Sequence, residues 1–368
     1  MTKTGFTKIF LWATVSIAAI GQGSAAAQPV QMAKPEAEFY RLCDVACGEL
    51  NSDGRHVPFY QDAYAVRALA VAHDMSGKKE YLDACRRWSD RMVAFQEKMI
   101  PGGAYYMNYG RKPGEDRGGW YSADSSSIAM AVLATSVRCP DPAEKRRYLR
   151  SVEAFARLVL DKYVRPSGGV TDGLWPDFDG EWYCSSGIFA SLAFLLYDET
   201  GHKPYLKAGL GAIGWLNRLD IPKVEHISFA ESAPSVWMYV LEAYSAAWPH
   251  LRAGSDLRQG ALAQMAVGLA WMAQDPADGS AGSKWDYNSQ WGSKFGGLPF
   301  HVYVYARHNP EGKKEIAAAD RELASVSVVL GEDRPPKLSQ LCVFTMFSYA
   351  EKLRAGALYR TSKEKKIR

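Results

Sequence analysis

Beyond its first twenty residues the sequence has no apolar run long enough to cross a membrane, which argues against a helical membrane anchor. Neither charge dominates: 44 Lys and Arg stand against 40 Asp and Glu, a net charge of +4, and the basic residues are spread along the chain rather than clustered. A nucleic-acid partner calls for a far more basic footprint. Absent too are a Rossmann fingerprint, the P-loop, the G-x-S-x-G elbow and the H-E-x-x-H pair: the one G-x-G-x-x-G string, Gly209 to Gly214, falls within a Tyr-Leu helix rather than after a strand, so nucleotide-dependent, serine-hydrolase and zincin chemistries lose their usual marks. Cysteine is scarce. Cys43, Cys47, Cys85, Cys139, Cys184 and Cys342 have no histidine at zinc-ligand spacing, and although Cys43 and Cys47 lie one helical turn apart, no metal and no cofactor is expected. Their spacing fixes no disulfide pairing.

What is present begins with a leader. Lys3 and Lys8 precede an apolar run from Ile9 to Ile20 and then small residues ending in Ala25, Ala26 and Ala27. This pattern predicts a secretory signal peptide over residues 1–27, cleaved after Ala27, and a periplasmic or secreted protein whose mature part, 28–368, is a single catalytic domain. No cysteine stands at the cleavage site to carry a lipid anchor. Loss of Lys3 and Lys8 takes the net charge from +4 to +2.

Three segments then echo one another, starting at Gly77, Ala143 and Gly201, each with a charged lead and a Tyr-Leu pair: Tyr81-Leu82, Tyr148-Leu149 and Tyr205-Leu206. Apolar residues follow at helical spacing, and the interval between pairs has room for two helices with their connections. The partner helices are expected at about Phe59 to Met75, Ser122 to Val137, Ser185 to Asp198, Ala233 to Trp248 and Gln340 to Leu353. Several of these are rich in Ala and Ser with almost no charge. A helix apolar nearly all round is buried, whereas the Tyr-Leu helices have a charged face and belong outside.

This alternation of buried and amphipathic helices resembles the α/α-toroid carbohydrate-active enzymes, which include six-hairpin glycosidases and polysaccharide lyases. The resemblance covers most of Phe39 to Arg354 and rests on repeat pattern and loop composition rather than on a diagnostic motif. It implies an all-α fold, an (α/α) toroid of about six helical hairpins, with the substrate cleft at one mouth of the ring. An open helical solenoid is the alternative.

The loops hold the candidate chemistry. Lys284 to His308 packs Lys284, Trp285, Asp286, Asn288, Gln290, Trp291, His301, Tyr303, Tyr305, Arg307 and His308 around Gly296-Gly297. Aromatic faces stack on sugar rings while amides and cations bind hydroxyls and carboxylates, although such a cluster is also common in cores. Four more clusters accompany it: Tyr105, Tyr106, Asn108, Tyr109 and Arg111; Arg117, Trp120, Tyr121 and Asp124; Asp172, Trp175, Asp177, Asp179, Glu181, Trp182 and Tyr183; and His226, Ser228 and Glu231. Each has a plain structural alternative. Asp124 suits a helix start, Asp177 and Asp179 suit turns, and Tyr303 and Tyr305 share a side only if their segment is extended.

Two chemistries compete. Elimination from a uronate glycan needs the carboxylate neutralised and a base and acid near the C5 proton and the leaving oxygen. Asn108, His226, Tyr303 or Tyr305, and Arg307 resemble by residue type the Asn, His, Tyr and Arg set of toroid lyases acting on acidic glycans. The resemblance thus implies a polysaccharide lyase, with Tyr106, Tyr109, Arg111, Arg117, Trp120, Trp175, Trp182, Lys284, Trp285, Gln290, Trp291 and His301 binding an acidic polysaccharide or oligosaccharide. Hydrolysis needs two carboxyls, for which Asp124 paired with Asp177, Asp179, Glu181 or Glu231 is the candidate set. A noncatalytic glycan-binding protein and an epimerase remain as further readings. The lyase is the preferred expectation because phenol, imidazole and guanidinium outnumber a clear acid pair.

Overall fold

The computed structural model describes residues 34–52, 57–107, 118–173, 180–221, 233–273, 294–332 and 337–362. The chain divides into a unit over Met1–Met32, outside the described residues, and a second unit over Ala33–Arg368. Among the described residues of the second unit there are twelve α-helices and only isolated β-bridges. They are α1 (Pro35–Glu49), α2 (Phe59–Ser76), α3 (Lys79–Gln96), α4 (Ser122–Arg138), α5 (Pro142–Lys162), α6 (Tyr183–Thr200), α7 (Lys203–Leu216), α8 (Ala233–Ala247), α9 (Asp256–Ala273), α10 (Lys294–His308), α11 (Ile316–Glu332) and α12 (Gln340–Leu353).

The even-numbered helices form a closed inner ring in which α2, α4, α6, α8, α10 and α12 touch in that order and α12 returns to α2. The odd-numbered helices lie outside, each against its neighbours in the ring, with α1 covering the seam between α12 and α2. This is an (α/α) toroid of six hairpins. Composition explains the sorting: every residue of α4 is buried, as are fourteen of α2, whereas α5 buries Tyr148, Val152, Phe155, Ala156 and Val159 and turns its Lys and Arg residues away.

Local signals set the ends. Asp141 caps α5 by accepting from the backbone N–H groups of Ala143 and Glu144 at 2.7 and 3.2 Å, ahead of Pro142 at the first helical position. Inner helices α2 and α6 stop at Gly77 and Gly201, which adopt φ of 71° and 77°. Where α6 crosses α8, a side chain on Gly187 has no room, since a Cβ there would stand 2.8 Å from the Tyr239 carbonyl oxygen. Gly187→Ala is therefore expected to push these two ring helices apart and lower stability by about 1–3 kcal/mol, read as a drop in Tm.

The Tyr-Leu repeat serves the outer ring. Tyr81 donates to Asp44 on α1 at 2.7 Å and Tyr148 donates to Asp90 on α3 at 2.7 Å, so each outer helix is tied to the one before it. Tyr205 lies in the field of Glu153 and Arg157 on α5 in the same sense.

One stretch departs from expectation. Residues 294–308 form the inner helix α10 rather than a sugar-binding loop followed by an extended segment, and Pro299 sits inside it. The phenols of Tyr303 and Tyr305 consequently diverge. Tyr303 donates to Asp320 of the outer helix α11 at 2.7 Å, and Tyr305 accepts from Asn309 at 2.6 Å in the turn that follows α10. All six cysteines have free thiols.

Candidate active site

Because inner and outer helices run in opposite directions, every connection that enters an inner helix lies at the same end of the ring. Most of these are longer than the connections at the other end, and those entering α4 and α6 are described in part. Residues 170–173 run between the two helix starts. Tyr121 pairs with Gly173 and Thr171 with Glu181 in antiparallel bridges, the Ser122 N–H donates to the Asp172 carbonyl at 2.9 Å, and the Trp182 N–H donates to the Val170 carbonyl at 2.9 Å. Ser122 and Ser186 clamp the same strip through their hydroxyls, which bond the Thr171 carbonyl and the Val170 N–H at 2.9 and 2.8 Å.

This clamp places two carboxyls at adjacent helix N-termini. Asp124 stands in the first turn of α4. Asp172 is half-buried, and its Oδ1 accepts from the Ser185 hydroxyl, in the first turn of α6, at 2.7 Å. Burial raises the Asp172 carboxyl above its ordinary value, with the Ser185 hydrogen bond opposing. The two carboxyls share neighbours. Tyr121 and Cys184 are held in their protonated forms by burial first, and both also feel the negative charges of Asp172 and Asp124. A carboxyl that burial inclines to keep its proton, with a second acid whose charge reaches the same phenol and thiol, is an arrangement that acid/base chemistry can use.

The remaining described candidates are distributed otherwise. Tyr106 is buried edge-on against Phe59 and Phe95, with ring centroids at 6.1 and 5.5 Å, and Trp120 is 1% exposed with its edge on Tyr163 at 5.0 Å. Neither leaves a ring face for a sugar. Trp182 is only part-buried and stacks on Tyr183 at 4.6 Å beside the Asp172 strip. His301 is 2% exposed and burial lowers its imidazole to about 3, so it stays neutral. Arg307 belongs to the last turn of α10, at the end of the ring remote from the helix starts, where it forms an ion pair with Glu351. Glu181 accepts from the Trp215 indole N–H at 2.8 Å. Asn108, Tyr109, Arg111, Arg117, Trp175, Asp177, Asp179, His226, Glu231, Lys284, Trp285, Gln290 and Trp291 lie outside the described residues.

Among the described residues no group of three His, Cys, Asp or Glu side chains is placed to hold a metal. A groove of about 310 Å³ lined by Asn217, Arg218, Gly260 and Gln264 lies between outer helices α7 and α9, and none of its lining residues belongs to the acid pair.

No family model matches the chain, and no curated protein matches it in sequence. Solved structures do match in fold. The family GH76 α-1,6-mannanase of Salegentibacter sp. HEL1_6 aligns with a TM-score of 0.60 at 12% identity over 87% of this chain and 99% of its own. Its inactive variant, in which two consecutive aspartates are replaced by asparagine, is bound to α-1,6-mannotriose and aligns at 0.58 and 12% identity over 89% and 100%. The glycoside hydrolase family 76 mannosidase of Bacteroides thetaiotaomicron VPI-5482 aligns at 0.54 and 11% identity over 88% and 98%.

These findings correct the lyase expectation, and with it the acidic glycan. The toroids similar to this chain include glycoside hydrolases of family 76, one of them holding an uncharged mannan fragment. The assembly that elimination requires is also not formed by its described members, since Tyr303 faces an outer helix, Tyr305 faces a turn and Arg307 is neutralised by Glu351 at the remote end of the ring.

Proposed function

We propose that this chain is an exported glycoside hydrolase acting on a neutral polysaccharide, with Asp172 as general acid and Asp124 as the carboxylate across the scissile bond. The observation that carries the reading is the strip 170–173 pinned between the starts of α4 and α6, which puts Asp172 on Ser185 and brings the charges of Asp172 and Asp124 to bear on both Tyr121 and Cys184. Protonated Asp172 delivers its proton to the glycosidic oxygen as that bond lengthens. Asp124, in the first turn of α4, meets the positive charge developing on the sugar, as nucleophile or as base toward water. Part-buried Trp182 offers a stacking face beside them. The fold likeness to mannanases supports α-1,6-mannan as the first substrate to try. Nowhere in the 368 residues are two aspartates consecutive, so in this chain the pair is drawn from separate segments. Export rests on the leader over residues 1–27.

The test is incubation with α-1,6-mannan, other neutral glycans, and alginate, hyaluronate and pectate, following both reducing ends and the ultraviolet absorbance of a 4,5-unsaturated product. New reducing ends from a neutral glycan without that absorbance support the proposal. Binding without any new ends would identify a lectin-like protein and overturn it.

Ser185 supplies a finer prediction. Its hydroxyl stabilises the charged form of Asp172, so Ser185→Ala raises the carboxyl further. A general acid is active while protonated, and the alkaline limb of the kcat/KM profile is therefore expected to move to higher pH in the variant.

A further inference from the structure

The outer helices are charged unevenly around the ring. The two that flank α6 are basic: α5 has six Lys and Arg against three acids, and α7 has Lys203 and Lys207 against none. The two that flank α12, the inner helix opposite α6, are acidic: α1 has four acids against Arg41, and α11 has three against Arg321. Cations dispersed in the sequence are thus gathered by the fold on one side. Arg146 and Arg150 stand one turn apart on α5, as do Lys203 and Lys207 on α7, and all four are exposed and meet no acid among the described residues. The acids around them are engaged, since Asp141 caps α5, Glu144 binds Arg86 and Glu199 binds Lys145.

The end of the chain reinforces this side. Ser362 is pinned beneath it, accepting from Lys145 at the start of α5 at 2.5 Å and donating to Glu199 at the end of α6 at 2.7 Å. Residues 363–368, outside the described residues, add Lys363, Lys365, Lys366 and Arg368 against Glu364, and six residues reach no further than about 20 Å from that anchor. The chemistry of the surface selects its partner. The large apolar side chains exposed among the described residues are Ile100, Val267 and Val328, none of them on α5 or α7, so the wall lacks the apolar centre around which a stable protein interface forms. Dispersed cations without apolar contact suit a sheet of anionic headgroups, where each one raises partition about five-fold. The acidic helices on the opposite side are repelled by the same sheet, which fixes the orientation.

We propose that the outer wall over α5 and α7, with residues 363–368 at its lower edge, is a docking surface for an anionic phospholipid bilayer. The contact is peripheral, since no described helix is long and apolar enough to cross a membrane. Arg146, Arg150, Lys203 and Lys207 lie in the first halves of their helices, at the end of the ring remote from the starts of α4 and α6, so docking leaves the mouth open to a glycan. The surface is separate from Asp172 and Asp124 and does not depend on their chemistry.

The test is co-sedimentation of the mature chain, residues 28–368, whose apolar leader would otherwise bind lipid by itself, with two kinds of vesicle: phosphatidylcholine alone, and phosphatidylcholine mixed with an equal part of phosphatidylglycerol. Binding to the mixed vesicles only, lost at high salt, is expected. The variant Arg146→Gln/Arg150→Gln/Lys203→Gln/Lys207→Gln, which keeps good helix formers at exposed positions, should bind about 10²–10³-fold more weakly. Arg252→Gln/Lys313→Gln/Arg321→Gln/Lys337→Gln removes as many exposed cations from other parts of the surface and should bind nearly as the native chain does. No binding to the mixed vesicles, or an equal loss in both variants, overturns the proposal. So does salt-sensitive self-association that the first variant abolishes while neither vesicle binds, which would make the wall an interface with the acidic side of a second copy. Deleting residues 363–368 gives a second readout if the first variant does not fold: binding should fall by a similar factor, and undiminished binding is equally fatal.

Discussion

Asp172→Asn is expected to lower kcat on the cleaved glycan by about 10²–10⁴-fold with the Tm nearly unchanged, and Asp124→Asn to do the same. Asparagine keeps the shape and the hydrogen bond that Ser185 offers to position 172 but has no proton to give. The two variants should differ in how they respond to the leaving group. A substrate with an activated aryl leaving group needs no protonation, so it should restore much of the rate to Asp172→Asn and little to Asp124→Asn. Equal recovery in both variants would sink the assignment of roles, and full activity in either would remove that residue from the mechanism.

Asp74→Ala is expected to lower stability by about 3–5 kcal/mol. Asp74 ends α2, where it accepts from Arg138 Nη2 and Nε at 2.6 and 2.9 Å and from Arg360 Nη1 at 2.7 Å. Arg138 is 4% exposed and would be left as a buried, uncompensated cation. Arg138 also donates to the Ala357 carbonyl at 3.3 Å, and Ser362 is bound through its N–H and hydroxyl to Glu199 at 2.8 and 2.7 Å. One cluster therefore closes the lower end of the ring with residues 357–362.

The same contact gives a pH dependence. Burial works to raise the Asp74 carboxyl, but the guanidiniums of Arg138 and Arg360 outweigh it and hold the group below its ordinary value. Its contribution to stability is thus complete above about pH 4, the unfolded value, and is lost as pH falls through the lower folded value. Glu199 behaves alike, its burial outweighed by Ser362 and Lys145. Urea unfolding between pH 2 and 7 should show the Asp74→Ala variant losing less stability on acidification than the native chain. Parallel curves would contradict this account.

The alternation of Ala- and Ser-rich helices with Tyr-Leu helices was enough to read a toroid, because burial on all sides or on one side leaves its mark within each segment. The exception is α10, where Gly296, Gly297 and Pro299 have the local character of a turn. Closure by neighbouring ring helices overrides that character, and no single segment records it. The site was less legible. In the sequence Asp124 marks a helix start, and the acids that local context offers it as partners are Asp177, Asp179, Glu181 and Glu231, three of which lie outside the described residues. Asp172 gains its raised affinity for a proton only when the strip 170–173 is pinned between α4 and α6. Arg67 and Glu242, a buried ion pair between α2 and α8, show the limit more plainly, since 175 residues separate two charges that look, in sequence, like ordinary polar positions on apolar helices.

The seam between α2 and α12 sets the order of assembly. As the chain emerges, α2 has one flank covered by α4 early, yet its other flank waits about 280 residues for α12. Until then the growing arc has two open apolar edges, and joining them is a contact between distant segments whose entropic cost must be met at the end rather than in instalments. A stalled or clipped product is therefore an unfinished arc with adhesive ends, prone to pair with its own kind.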